Sequence, residues 1–184
     1  MIFISYRISD SIAMAGRLED DLVAEFGPGS VFRDQTQLAG GDTWTEELER
    51  NAQSCTAMLV VIGKTWQTVT FDDQDRKGVL RLSDPDDWVR KEITLAIDAG
   101  RLVIPVLLDG AAMPTKAWLA MHNLEVLYSK QGVPLRNSDY GPDFVELIAL
   151  LRDKCPNLRG RSNALQPERK ALPPTRPNLY AVPN

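Results

Sequence analysis

Thr56-Ala57-Met58-Leu59-Val60-Val61-Ile62 is the stretch that decides the fold. Its unbroken apolar run is that of a strand buried on both faces, the central strand of a parallel sheet. Gly63 ends it. Upstream, Trp44, Leu48 and Ala52 lie on one stripe of a helix that Asp42 or Thr43 can start. Before that helix runs a loop, Arg33 to Asp42, with the glycine pair Gly40-Gly41. Such a loop is expected to face solvent and to move. Val31-Phe32 is a second, very short strand. Ala15, Leu18, Leu22 and Phe26 form a helical stripe that Ser9 or Asp10 can cap and Gly27-Pro28-Gly29 stops. Met1 to Ser5 is another nearly continuous apolar run, and reads as a strand buried on both faces.

Downstream, Lys64 to Pro85 is a long charged connection without periodicity, a length that points to function. Asp86-Asp87 sit where a helix begins and suit the positive end of its dipole. Val89, Ile93, Ala96 and Ile97 are the face of that helix that packs on the sheet. Trp88 and Glu92, four apart, share a neighbouring face. Leu102 to Leu108 is a fourth strand, and Pro105 should fall where no ladder bond is needed. After the turn at Asp109-Gly110, residues 111–124 read as irregular with one short helix. Glu125 to Tyr128 reads as an edge strand. Asp143 should cap a last helix carrying Phe144, Leu147, Ile148 and Leu151. Strand and helix thus alternate five times. The expectation is an α/β, flavodoxin-like, three-layer sandwich, its five-stranded parallel sheet ordered 2-1-3-4-5 with helices on both faces. In that order the crevice opens at the carboxyl ends of strands one and three, where Ser5, Arg7, Asp34 and Glu92 can converge.

The chain has 184 residues, 43% of them apolar and 25% charged, the make-up of an ordinary soluble domain. A formal charge of −4 speaks against general nucleic-acid binding. No apolar run approaches the roughly 20 residues that span a bilayer. No basic segment is followed by an apolar stretch and cleavage site, so a cytoplasmic protein is expected, with Cys55 and Cys155 reduced. One histidine, His122, and two distant cysteines make no metal spacing. The expected domain covers residues 1–155. Residues 156–184 read as a Pro-rich basic tail or linker without a packed core. From Arg159 to the end there are five prolines and a charge of +4, which leaves −8 on the residues before it.

Five pieces occur in the order seen in TIR domains: Phe3-Ile4-Ser5-Tyr6-Arg7, Val31-Phe32-Arg33-Asp34, Leu38-Ala39-Gly40-Gly41, Leu59-Val60-Val61-Ile62, and Asp87-Trp88-Val89-Arg90-Lys91-Glu92-Ile93. Over residues 1 to about 153 the chain resembles bacterial TIR domains, and the NAD-cleaving TIR enzymes most of all. The resemblance implies an NAD+ nucleosidase, a glycohydrolase or ADP-ribose cyclase, with Glu92 at the position of the family's essential glutamate. Adaptor TIR domains commonly lack that residue. It implies that Trp88 packs against ribose or nicotinamide, that Tyr6, Arg7 and Ser5 line the mouth, and that Phe32 borders the nicotinamide pocket. Arg7 would meet phosphate or orient Asp34. Leu38, Gly40 and Gly41 would belong to a loop through which TIR domains associate. NAD+ enters as substrate, with no cofactor and no metal. The implied setting is bacterial immune signalling or antiphage defence.

The chemistry agrees with a single carboxylate. Nicotinamide leaves neutral, and the ribose carbon passes through an oxocarbenium-like state that a carboxylate stabilises. Gln37 stands where some NAD-cleaving members have a basic residue. The acids Asp72, Asp73, Asp75, Asp84 and Asp86 before Trp88 would repel a pyrophosphate unless Arg76, Lys77 or Arg81 turn inward. The competing readings are a non-catalytic TIR–TIR interaction module and an effector that interferes with host signalling. A phosphoacceptor domain of the same strand order is excluded. It needs paired acids after strand one and an Asp after strand three, where this chain has Ser5-Tyr6 and Gly63-Lys64.

Overall fold

The computed structural model describes residues 1–33 and 46–158. The elements are β1 (Ile2–Ser5), α1 (Ile8–Phe26), β2 (Val31–Arg33), α2 (Glu46–Ser54), β3 (Ala57–Ile62), α3 (Trp88–Asp98), β4 (Leu102–Leu108), α4 (Lys116–Met121), β5 (Val133–Leu135) and α5 (Tyr140–Lys154). The five strands form one parallel sheet in the order β2-β1-β3-β4-β5. This is the expected flavodoxin-like topology.

Successive strand residues point to opposite faces, and the core divides accordingly. Ala57, Leu59 and Val61 of β3 pack with α1 and α5, whereas Met58, Val60 and Ile62 pack with α2, α3 and α4. All six are fully buried. Each large side chain among them contributes roughly 1.5–3 kcal/mol. Both cysteines are buried and free, and burial pushes the Cys55 thiol up to about 11. No described helix is long and apolar enough to cross a membrane.

Four local expectations are corrected. Glu125–Ser129 is a turn of 3-10 helix, because only Leu127 of that stretch turns inward while Glu125, Val126 and Tyr128 are exposed. The edge strand lies further on, at Val133–Leu135, with a buried–exposed–buried pattern. Pro134 is tolerated there because an edge strand has a side that needs no donor. At α5, Asp143 is not the cap. It lies inside the first turn and accepts bonds from the Arg136 N–H, Nε and Nη2 at 2.8, 2.9 and 2.6 Å. That guanidinium holds the Asp143 carboxyl below its ordinary range. At α1 neither Ser9 nor Asp10 caps; the N-cap is Arg7, without a side-chain bond. Asp10 reaches across instead. Its carboxylate accepts from the Gly63 N–H at 2.8 Å, the Thr65 N–H at 2.9 Å and the Thr65 hydroxyl at 2.6 Å. The tail from Arg159 onward lies outside the described residues, as do Asp42, Thr43 and Trp44. Pro105 sits opposite Val60, one residue before pairing with β5 begins at Val106.

The contact at Gly63 is tight. A Cβ there would collide with the Asp10 carboxylate. Gly63→Ala is therefore expected to cost about 1–3 kcal/mol in urea unfolding. In an Asp10→Ala background the same change should cost well under half as much, and equal costs in both backgrounds would contradict the contact.

Candidate active site

The strand period assigns the end of β1 to two sides. Ile4 and Tyr6 face α1 and α5, while Phe3 and Ser5 face α3. Arg7, two residues beyond Ser5, continues on the α3 side. The N-terminus of α3 rests against this end of β1. Asp87 is its N-cap, and its carboxylate accepts the Arg90 N–H at 3.1 Å.

Two polar contacts join strand to helix. The Ser5 hydroxyl donates to Glu92 Oε2 at 2.5 Å. The Arg7 guanidinium donates through Nη1 and Nη2 to the two Asp87 oxygens at 2.9 and 2.8 Å. All four residues are buried, with Glu92 1% exposed. A carboxylate inside a low-dielectric wall exerts a stronger field than one in water. It therefore suits stabilising a cationic centre brought against it.

The residues expected at the site do not all meet. Ser5 and Glu92 do. Trp88 is half-buried against the same α3-side core. Phe32 also packs on that side, its ring 5.2 Å from Phe3. Tyr6 does not join them. It is 1% exposed on the opposite face, and its hydroxyl accepts from Arg33 Nη1 at 3.2 Å. Arg33 also donates to Glu19 at 2.6 Å. Tyr6 thus packs into the α1-side core, with its hydroxyl at Arg33. Arg7 pairs with Asp87 through both Nη groups, and is 4% exposed. Asp34, Leu38, Gly40 and Gly41 lie outside the described residues.

Three of the five acids before α3 are held by their own neighbours. Arg76 pairs with Asp73 and Asp84, and Lys91 with Asp86. Arg76 and Arg81 also lie over the Phe71 ring, at 3.9 and 4.8 Å. Trp66, fully buried, and Leu82 anchor the connection to the core. A cleft of about 680 Å³ opens at the carboxyl ends of β1, β3 and β4, lined among others by Asp10, Met14, Gly63 and Asp109. It lies on the α1 side, and neither Glu92 nor Trp88 lines it. Among the described residues no group of three or more His, Cys, Asp or Glu side chains could hold a metal ion.

Sequence reasoning missed Asp87 as the partner of Arg7. Nothing in the sequence pairs the two, which stand 80 positions apart.

A five-stranded 2-1-3-4-5 sheet with a buried glutamate facing the end of its first strand defines a class of switch-point α/β domains. Residues 2–148 match the family model described as the TIR domain, and the chain belongs to that family. A similar solved structure is that of the TIR domains in the activated Roq1 resistosome directly recognizing the pathogen effector XopQ. The match covers 83% of this chain and 97% of that one, with a TM-score of 0.52. At 18% identity the likeness is one of fold. No curated protein matches the chain.

Ser5→Ala takes a donor from a buried carboxylate, and is expected to lower stability by about 1–3 kcal/mol in urea unfolding. A change within error would mean that the hydroxyl does not hold Glu92.

Proposed function

We propose that this TIR domain is an NAD+ glycohydrolase whose reaction is carried by Glu92. The observation that supports the reading is the Glu92 carboxylate, buried, fixed by the Ser5 hydroxyl at 2.5 Å, and set at the end of β1 beside the switch point. In the proposed reaction the bond between the nicotinamide nitrogen and ribose C1′ breaks, and its electron pair leaves with neutral nicotinamide. Water adds to C1′ and gives up a proton, which yields ADP-ribose; attack by a nitrogen of the adenine ring yields a cyclic isomer instead. Glu92 stabilises the oxocarbenium-like state between these steps. Trp88 and Phe32, on the same side of the sheet, flank the reacting ring. NAD+ is substrate, and neither cofactor nor metal takes part. The setting we infer is the cytoplasm of a bacterium, in immune signalling or defence against phage.

The closed state of Glu92, 1% exposed, bears on regulation. Substrate reaches the carboxylate only after what covers it has moved. The Roq1 structure holds TIR domains within a resistosome. We infer that copies of this domain likewise associate, and that association opens the site. The same closure favours a second reading, a TIR–TIR interaction module that makes no product.

Purified protein incubated with NAD+ should release nicotinamide, and Glu92→Ala with an intact circular dichroism spectrum should release at least about 100-fold less. No release from the wild type under assembly-promoting conditions would leave the interaction module. Specific activity should also rise with protein concentration, and a flat profile would count against opening by association.

A further inference from the structure

The Arg7–Asp87 pair is sealed from water, with side chains 4% and 3% exposed. Such a pair is a poor stabiliser, because desolvation offsets attraction and an apolar pair of similar volume often serves as well. Arg7 Nε is buried too and meets no hydrogen-bond partner among the described residues, which adds a further desolvation cost. What the pair does supply is geometry. A two-pronged arginine–carboxylate contact fixes direction as well as distance. Arg7 extends from the end of β1, two residues after Ser5. Asp87 is also the N-cap of α3, five residues before Glu92. One carboxylate thus ties the first turn of α3 to the end of β1, and the next turn carries Glu92 against Ser5.

We propose that Arg7 and Asp87 are a positioning pair that sets where Glu92 stands, and so sets the rate of the reaction. The proposal rests on the NAD-cleaving reading above. Neither residue touches the reacting atoms in this account. They act through the seating of the helix that carries the glutamate, and displacing a catalytic group by about 1 Å can cost about 100-fold in rate.

The test separates seating from stability. Asp87→Asn keeps a side chain able to cap the helix but loses the charge. Alone it leaves Arg7 buried without its counter-ion, and is expected to destabilise. Combined with Arg7→Met, it removes both charges and keeps the apolar stem. The double variant is expected to melt close to the wild type. Its kcat for nicotinamide release should fall by about tenfold or more, with KM within about twofold. Amide hydrogen exchange across residues 88–93 should quicken by about tenfold, with the rest of the sheet unchanged. Unchanged exchange in that turn overturns the proposal, and so does faster exchange with wild-type kcat. If the wild type releases no nicotinamide while the variant's exchange rises, the enzymatic reading fails and the seating role stands. Should the double variant not fold, Arg7→Lys keeps the charge but loses the fork. It should fold with reduced kcat and little change in KM, and wild-type kcat in it overturns the proposal.

Discussion

Alternation along one short strand arranges most of this molecule. From Phe3 to Arg7 the side chains of β1 and its extension turn one way and then the other, and each goes to a different chemical fate. Ile4 and Tyr6 enter the core beneath α1 and α5. Phe3 enters the core on the other side, and Ser5 and Arg7 on that side bind acids of α3. A slip of one residue would exchange the two sets, placing an arginine in an apolar layer and stranding Asp87 and Glu92. Pairing with β3, from Ile2 against Ala57 to Ser5 against Val60, prevents that slip, and β3 is itself held by full burial on both faces.

The fold was legible because its evidence is local and repeated. Ala57–Ile62 announces an interior strand by composition alone, and the five alternations leave few topologies to choose from. The parts that went astray are those where local chemistry permits two answers. Glu125–Ser129 carries strand-forming residues, yet four of the five positions turn out to water and the backbone curls. Val133–Leu135 carries a proline, which argues against a strand unless the strand is an edge. Asp10 could equally cap its own helix or reach another segment, and the bond distances show that it reaches Gly63 and Thr65.

The site was legible in its helix and less so around it. Glu92 and Trp88 were singled out by spacing and by resemblance, and Ser5 by the expected sheet order. Tyr6 was expected at the mouth by resemblance, and its ring lies buried on the α1 side with its hydroxyl at Arg33. Arg7 was expected at a phosphate or at Asp34 by sheet order and by resemblance; nothing in one sequence says that an acid 80 positions later waits to bind it. Long-range ion pairs have no period, and they become visible only once the elements are assembled.

A sealed glutamate has a thermodynamic corollary. Any ligand that must touch Glu92 binds with its intrinsic affinity multiplied by the fraction of molecules that stand uncovered. Each tenfold rarity of that form weakens apparent affinity tenfold, or about 1.4 kcal/mol. Occupancy at such a residue is therefore governed by a conformational equilibrium as much as by the fit of the ligand, and surfaces remote from the carboxylate acquire leverage over it.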